Sequence, residues 1–342
     1  MLHLLDQTPE QLQSWLDAHG VPPYRAAQLR RWLFGTAVES FDQMSNLPKA
    51  LRAQLADDFR IWTARVLRHK KAADQTEKLL LELADGHRIE CVLLSDDKQH
   101  RTICLSTQVG CAMGCAFCAS GLDGVVRNLT TGEILEETLR LQRLLPEGQR
   151  LSHVVVMGMG EPLANLDRLL PALALASGPD GLGISARRIT ISTVGIPKGI
   201  LRLAEMNCQY HLALSLHAPD DALRNQLVPT NRKIHLAAIL KATDAYFEKT
   251  GRRVTFEYVL LAGINDQPEH AARLVTLLRG RPALVNLIPY NPVAGLPYKT
   301  PKPAATARFV EALQRGGLEV AVRWRKGDRI DAACGQLRRS HT

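Results

Sequence analysis

Apolar residues in the first sixty positions of the chain recur at the spacing of short amphipathic helices. Thr8, with Pro9 and Gln11 after it, predicts a helix start that is closed by a capping box. The same periodicity predicts two further short helices, the last of them over residues 48–59. We therefore expect residues 1–59 to form a small helical N-terminal domain.

Between residues 60 and 98 the pattern changes to an alternation of apolar and polar positions, which is typical of β-strands. Two such runs, 79–83 and 88–92, flank the dipeptide Asp85-Gly86, which is typical of hairpin turns. We expect this segment to be a small β extension that leads into the main domain.

From residue 99 onwards, short apolar runs alternate with helical patterns, for example those over 132–144 and 268–278. The predicted strands are 103–106, 153–157, 188–193, 211–215, 254–260 and 284–288. Six strand–helix repeats predict an α/β fold in which a parallel sheet curls into a partial (β/α)6 barrel over residues 99–342. In barrels of this type, the chemistry gathers at the carboxyl ends of the strands.

Composition narrows the class of protein. The chain has 342 residues, enough for one large α/β domain with a small attachment, and 46% of them are hydrophobic. It contains no apolar run of about 18 residues that would span a bilayer. The opening residues lack the basic start of a signal peptide, and seven cysteines suit a reducing compartment better than a disulfide framework. We expect a cytoplasmic protein that does not bind membranes.

The charge of the chain indicates a polyanionic partner. The formal net charge is +9, and the isoelectric point is near 9.3. Residues 323–339 contain six basic residues against two acidic ones. A second basic cluster consists of Arg65, Arg68, His69, Lys70 and Lys71. These clusters, and the arginines of the N-terminal helices, either bind nucleic acid or form solvated faces of the protein.

The strongest chemical pattern follows the first predicted barrel strand, where Cys111, Cys115 and Cys118 are spaced C-x-x-x-C-x-x-C. Three closely spaced thiolates favour an iron–sulfur cluster. A structural zinc site is the alternative, but it needs four ligands, and no Cys or His follows at a zinc-finger spacing. A group of buried thiols without a metal is the remaining possibility.

Several polar residues follow the other predicted strands. Gly160 allows close approach of a ligand to the backbone, and Glu161 offers an acceptor for an ammonium group. The alternative for this segment is a tight turn before a helix. The other strand-end residues are Ser192, Ser215, Leu216, His217 and Asn291. A single strand-end serine is more often a helix cap, so the prediction rests on their joint placement.

Two further cysteines lie outside the group of three. Cys334 stands among basic residues and is followed by a glycine, and positive neighbours favour the reactive thiolate. Cys104 is expected at the mouth of the barrel, on the first strand. Cys91 and Cys208 are expected to be packing residues.

These motifs together resemble a known family. The three-cysteine spacing resembles the radical S-adenosylmethionine (radical SAM) superfamily. The stretches CLSTQVGCAMGCAFCAS, GMGEPLAN, SLH, NLIPYNP and GDRIDAACGQL resemble the RlmN/Cfr family of radical SAM RNA methyltransferases, over about residues 24–337. The resemblance implies a 4Fe–4S cluster on the three cysteines. It also implies S-adenosylmethionine (SAM) bound at the open iron and by the strand-end residues from Gly160 to Asn291.

The resemblance also implies the reaction. RlmN-like members methylate carbon 2 of an adenosine in 23S rRNA, and some also methylate tRNA beside the anticodon. Cfr-like members methylate carbon 8, and Pro162 and Pro289 in this chain favour the RlmN branch. Cys334 is implied to carry the methyl group, and Cys104 to release the product through a disulfide with Cys334.

The resemblance implies Glu90 as the candidate base that removes the carbon-2 proton. The alternative for Glu90 is a charged residue on the exposed face of a hairpin strand. The resemblance implies an electron donor such as flavodoxin, and we expect a monomer. Two other classes stay open at this stage. A radical SAM maturase would explain the cluster but not Cys334 with Cys104, and the other class is a zinc protein that binds RNA without catalysis.

Overall fold

The structure, a computed structural model, describes residues 1–96, 99–206, 208–323, 327 and 330–338. Its central feature within these residues is a ten-stranded sheet, ordered β14-β13-β12-β11-β10-β9-β6-β5-β4-β3. The strands of this sheet are β3 (Arg65–Lys71), β4 (Glu77–Glu82), β5 (Arg88–Ser95), β6 (Arg101–Cys104), β9 (His153–Val156), β10 (Ile189–Thr193), β11 (His211–Ser215), β12 (Val254–Leu260), β13 (Ala283–Pro289) and β14 (Glu319–Val322). Strands β6 and β9 to β14 are parallel, and β3 to β5 join them as an antiparallel extension.

The N-terminal part is helical, as predicted. Its helices are α1 (Pro9–Ala18), α2 (Tyr24–Arg30) and α3 (Lys49–Asp58), and a short parallel pair joins β1 (Leu2–His3) to β2 (Phe59–Arg60). The predicted capping box of α1 is present, since Thr8 Oγ1 accepts from Gln11 N and Gln11 Oε1 accepts from Thr8 N. Helix α2 continues as a π-helical segment over Arg31–Thr36, which the sequence pattern did not predict.

The predicted hairpin around Asp85-Gly86 is confirmed by the pairing of β4 with β5. The extension has a further strand, β3, which contains the second basic cluster. Strand β5 pairs with β6, so the extension and the barrel strands share one continuous sheet. This continuity places one face of the extension in line with the interior of the barrel.

The six predicted barrel strands are present; β9, β10 and β13 differ from their predicted bounds by one residue at one or both ends, and the first strand differs more. The first was predicted over 103–106 but covers Arg101–Cys104, because Leu105 and Ser106 leave the strand geometry. Ser106 N donates to Glu137 Oε2 on helix α4 (Thr131–Gln142), while Leu105 N still donates to Val155 O. A seventh parallel strand, β14, was not predicted because it is only four residues long and lies at the sheet edge.

Helices follow the barrel strands, as the α/β pattern predicted. They are α4, α5 (Leu166–Ser177), α6 (Pro197–Glu205), α7 (Asp221–Leu227), α8 (Leu236–Thr250), α9 (Pro268–Leu278) and α10 (Pro303–Arg315). A small hairpin of β7 (Gln108–Gly110) and β8 (Val125–Asn128) encloses the three-cysteine loop. None of the helices in the described part of the chain is both long and apolar enough to cross a bilayer.

Candidate active site

A cavity at the carboxyl ends of the barrel strands brings together most of the residues singled out from the sequence. Its volume is about 150 Å³. The predicted residues that line it are Cys111, Cys115, Cys118, Gly160, Glu161, Ser192, Ser215, His217, Asn291 and Cys334. Leu216 is completely buried and does not line this cavity, and its backbone N–H donates to Glu257 O.

The three-cysteine loop is held by its backbone. Cys111 N donates to Gly124 O, and Cys118 N donates to Cys115 O. Gly110, with a φ of +80°, allows this loop to close, because a Cβ there would lie 2.0 Å from Gly124 O. All seven cysteines of the chain are free thiols. Burial raises the pKa of Cys111 to about 12 and also raises the pKa values of Cys115 and Cys118, so their thiolates require positive charge nearby.

A buried arginine supplies positive charge beside this loop. Arg224 on α7 is 1% exposed, and its guanidinium donates to four oxygens. They are Leu216 O at 3.0 Å, Ser215 O at 3.0 Å, Val194 O at 2.5 Å and Asn231 Oδ1 at 2.7 Å. Burial lowers the pKa of Arg224 to about 10, and the Cys115 thiol is the main group that opposes this shift. Arg224 thus joins the ends of β10 and β11 and carries a charge towards the cysteines.

Glu161 lies in a turn directly after β9. Its Oε1 accepts from Thr193 Oγ1 at 2.7 Å and from Leu163 N at 3.0 Å, and its Oε2 accepts from Val194 N at 2.9 Å. Burial raises the pKa of this carboxyl group, although the hydrogen bonds oppose the shift. The turn requires glycine before Glu161, because a Cβ on Gly160 would lie 2.7 Å from Gln108 Cβ.

Polar groups from β10 and β11 face one another across the cavity wall. The hydroxyl oxygens of Ser192 and Ser215 are 3.4 Å apart. His217 has a left-handed backbone with φ of +61°, and its Nδ1 accepts from Val259 N at 3.1 Å. Burial lowers the pKa of His217 to about 3, so the imidazole is neutral at physiological pH.

Asn291 connects the barrel to the segment that carries Cys334. Its Nδ2 donates to Cys334 O at 3.1 Å, while its buried Oδ1 has no hydrogen-bond partner among the described residues. The same segment is fixed to the three-cysteine loop. Ala119 N donates to Gly335 O at 2.8 Å, and Ser120 Oγ donates to Leu337 O at 2.5 Å.

Cys104 and Cys334 share a second, larger cavity of about 1110 Å³ that runs through the barrel. Burial and the nearby Cys334 raise the pKa of Cys104 to about 12. Arg323 lines the same cavity, and its pKa is raised, first by Cys334 and then by Glu257 and Cys104. The basic residues Arg325, Lys326, Arg329 and Arg339 of this segment lie outside the described residues.

Glu90 lies apart from these groups. It is 6% exposed, so the alternative of an exposed strand residue is wrong. It lines a separate cavity of about 240 Å³, and its Oε1 lies 2.8 Å from Lys78 Nζ. Its Oε2 accepts from Arg338 N at 3.0 Å, which connects the extension to the Cys334 segment.

Sequence reasoning missed Arg224, Arg323 and Glu257. Glu257 interrupts the apolar run of β12, and a carboxylate in a buried strand could have been recognised as unusual. Arg224 looks like an ordinary surface residue of a short helix, and only the tertiary structure shows its burial.

Two parts of the chain each match a known protein family. Residues 105–275 match the Radical SAM superfamily, and residues 2–61 match the Ribosomal RNA large subunit methyltransferase N-terminal domain. Together with the partial barrel and the three-cysteine loop, the first match defines the class: the chain is a radical SAM protein.

Comparison with individual proteins shows to which family of the radical SAM superfamily the chain belongs. The "Probable dual-specificity RNA methyltransferase RlmN" of Rhodopirellula baltica is 60% identical over 338 residues, which is 99% of this chain and 91% of that protein. A protein of the same name from Symbiobacterium thermophilum is 50% identical over 322 residues, covering 93% of this chain and 86% of that protein. A crystal structure of a radical SAM methyltransferase from Sphaerobacter thermophilus superposes with a TM-score of 0.96 at 42% identity, covering 99% of this chain and all of that one. The chain belongs to the RlmN family of radical SAM RNA methyltransferases.

Membership of the radical SAM superfamily implies a 4Fe–4S cluster and SAM. Each cysteine of such a cluster binds a different iron atom, so the thiols need to border a shared space rather than meet at one point. Among the described residues, no three Cys, His or acidic side chains lie close enough to ligate a single metal ion. Three free thiols around one cavity therefore fit the donor set of the cluster. The unpartnered Asn291 Oδ1 in the same cavity fits a ligand with a hydrogen-bond donor.

Proposed function

We propose that this chain methylates carbon 2 of an adenosine in 23S rRNA, and of an adenosine beside the tRNA anticodon, through a methyl group carried by Cys334. The observation that carries this proposal is the position of Cys334. It lines one cavity with Cys111, Cys115 and Cys118 and a second cavity with Cys104. Family membership favours this activity over a maturase or a zinc protein that binds RNA without catalysis.

Cys111, Cys115 and Cys118 would hold the 4Fe–4S cluster. The residues that would hold SAM are Gly160, Glu161, Ser192, Ser215, Leu216, His217 and Asn291. Among them, Leu216 does not line the cavity, and its backbone N–H and O already bond to Glu257 and Arg224, so Leu216 would position the end of β11 rather than contact SAM. When bound, the cluster supplies the electron that splits SAM and so yields a radical able to remove hydrogen from a methyl group.

Cys334 first accepts a methyl group as a thiolate. Its sulfur attacks the methyl carbon of one SAM molecule, so that a new S–CH₃ bond forms while the sulfonium bond breaks and S-adenosylhomocysteine leaves. Arg323 lines the same cavity as this thiol, as do Arg187 and Arg188, and the nearby Cys334 is the main cause of the raised pKa of Arg323.

The carbon on Cys334, after loss of a hydrogen atom, bonds to carbon 2 of the adenine. The carbon-2 proton then passes to a carboxylate, for which we propose Glu90. Support for Glu90 is its burial in the cavity whose lining includes residues 331, 336 and 338 of the Cys334 segment. The adduct gives up its one unpaired electron, which would return to the cluster. The Cys104 thiolate finally attacks the sulfur of Cys334: an S–S bond forms, the S–CH₂ bond breaks, and the CH₂ carbon takes up a proton to become the methyl group of the released base. An adenosine has to leave its stack to reach this site.

Methylation of carbon 8 is the second candidate outcome, because Cfr-like proteins resemble the same framework. Pro162 and Pro289 and the RlmN relatives favour carbon 2. The test is anaerobic reconstitution with iron, sulfide, SAM and a 23S rRNA fragment, followed by digestion and mass spectrometry against standards of both methyladenosines. We expect 2-methyladenosine from the unaltered protein and from Cys208→Ala, and no product from Cys334→Ala. 8-Methyladenosine, or undiminished product from Cys334→Ala, would contradict the proposal.

The remaining expectations are part of the same proposal. They are a cytoplasmic location, flavodoxin as electron donor, a monomer, and a division into a helical N-terminal domain (1–59), a β extension (60–98) and a radical SAM core (99–342). A tRNA fragment and an rRNA fragment in parallel reactions measure the two activities separately. No 2-methyladenosine in the tRNA arm would restrict the proposal to rRNA.

A further inference from the structure

The basic cluster on β3 consists of two kinds of residue. Three of its members are paired with carboxylates. Arg65 lies 2.6 Å from Glu82, while His69 and Lys71 lie 2.6 and 3.0 Å from the two carboxylate oxygens of Glu77. Two carboxylates therefore offset part of the charge of those three residues.

Arg68 and Lys70 are different. Neither side chain has a carboxylate partner among the described residues. Both line the cavity of about 240 Å³ that Glu90 also lines, together with Lys78 and Arg338. Within this cavity the ammonium group of Lys78 forms an ion pair with the carboxylate of Glu90, at 2.8 Å. Within the described part of the chain, Arg68 and Lys70 therefore bring positive charge to the cavity that no carboxylate pairs, although Asp331 also lines the cavity.

The pairing register of the strands shows which face of the sheet carries Lys70. Lys70 lies opposite Lys78, which lies opposite Val92, which in turn lies opposite Cys104. Residues opposite one another in a sheet share a face, so Lys70 lies on the face that carries Cys104 into the barrel. Three strand spacings separate the two residues, which is about 14 Å, or about four stacked nucleotides.

We propose that Arg68 and Lys70 bind backbone phosphates of the RNA substrate a few nucleotides away from the adenosine that enters the barrel. This inference rests on the proposed function, because it assumes that an RNA strand reaches Cys104 and Cys334. The cavity is large enough to accept a phosphodiester group but too small to accept the face of a protein. Phosphate contacts of this kind fix the register of a nucleic acid without reading its sequence.

The chain offers a matched control for this inference. Arg68→Gln/Lys70→Gln and Arg65→Gln/Lys71→Gln each remove one arginine and one lysine from the same strand, so both variants lose the same net charge. Only the first pair removes the unpaired cations. The probe is a fluorescent 23S rRNA fragment that contains the target adenosine, and its Kd is measured by anisotropy at several salt concentrations. Thermal unfolding of both variants checks that β3 is intact.

We expect Arg68→Gln/Lys70→Gln to weaken binding roughly tenfold and to reduce the slope of log K against log salt by about 1.4, as for two lost phosphate contacts. The KM for RNA should rise, and kcat at saturating RNA should be retained. Arg65→Gln/Lys71→Gln should stay within about twofold of the unaltered protein. Equal losses in both variants would overturn the proposal, because they would reflect general electrostatic attraction.

A second outcome would also overturn it. Unchanged RNA binding, with turnover lost only when a protein reductant replaces dithionite, would assign Arg68 and Lys70 to an acidic protein partner. Failure of this inference can be distinguished from failure of the proposed function. The former leaves 2-methyladenosine formation by the unaltered protein intact, and the latter abolishes it whatever the binding constants are.

Discussion

The side-chain amide of Asn291 donates a 3.1 Å hydrogen bond to the backbone carbonyl of Cys334. One residue at the end of a barrel strand therefore connects two predicted parts of the site, the SAM-binding cavity and the segment with the methyl-carrying cysteine. The other atom of the same amide, Oδ1, is buried and finds no partner in the described part of the chain. Asn291 thus has one group that positions Cys334 and another that is free for a ligand.

Replacement of Asn291 by alanine should affect both functions. The Kd for SAM should rise roughly tenfold, as expected from the loss of one buried hydrogen bond of about 1.4 kcal/mol. Amide hydrogen exchange in residues 330–338 should become faster, because one anchor of that segment is lost. Asn46→Ala, a change in the N-terminal part of the chain, is the control. Unchanged SAM affinity in Asn291→Ala would remove Asn291 from the binding site.

Arg224 should raise the reduction potential of the cluster. A positive charge stabilises the more negative, reduced state, so Arg224→Met should lower the midpoint potential by roughly 60 mV, equivalent to about 1.4 kcal/mol. Arg224→Lys keeps the charge and should keep most of the potential, although it loses the fork that joins the loops after β10 and β11. The measurement is a redox titration followed by electron paramagnetic resonance. Equal potentials in both variants would contradict an electrostatic role.

Glu257 should make the stability of the fold depend on pH. Burial raises the pKa of its carboxyl group from 4.5 to about 7, against the opposing effects of Arg323 and of a hydrogen bond from Asn286 Nδ2. The folded protein therefore binds this proton more tightly than the unfolded chain, and the stability contribution falls as pH rises from about 4.5 to about 7.

The test compares the unaltered protein with Glu257→Gln, which has no proton to lose. The free energy of unfolding of Glu257→Gln relative to the unaltered protein should increase by up to about 3 kcal/mol between pH 4.5 and pH 8. Denaturant titrations at four or five pH values measure this difference. A difference that does not change with pH would show that the carboxyl group is not buried as described.

Lys78 and Glu90 form a buried ion pair in which both side chains are 7% exposed. Loss of one partner leaves the other charge buried, so Glu90→Gln and Lys78→Met should each cost about 3–5 kcal/mol of stability. The double variant should cost less than the sum of the two. If Glu90 is the base, Lys78→Met should retain product formation, whereas Glu90→Gln should abolish it. Full turnover by Glu90→Gln would exclude its carboxylate as the base.

Much of the fold could be predicted because the local patterns were strong. Thr8 and Gln11 cap α1 as predicted, and β11 and β12 have the predicted bounds. Strand β14 was missed because four residues at a sheet edge carry little periodicity. The continuity of the β extension with the barrel depends on the pairing of β5 with β6, which sequence spacing does not show.

The site was predicted where chemistry needs particular residue types close together in sequence, as at Cys111, Cys115 and Cys118. Residues that act from a distance were harder to find. Arg224 reaches the cavity wall from a helix that looks exposed in sequence, and its burial is a property of the packed structure. Glu90 and Arg68 belong to one cavity only because the strands that carry them pair with β4 between them.

The central claim is that the methyl carbon reaches RNA through Cys334. Protein whose Cys334 carries a trideuteromethyl group, formed by preincubation with labelled SAM and then freed of it, tests this claim in a single turnover with unlabelled SAM and the rRNA fragment. Mass spectrometry of the digested RNA should show deuterium in the 2-methyladenosine of the first turnover, two atoms from the carried methyl group after one has been removed. First-turnover product without deuterium would show that the methyl group comes directly from the second SAM molecule, and would contradict the account.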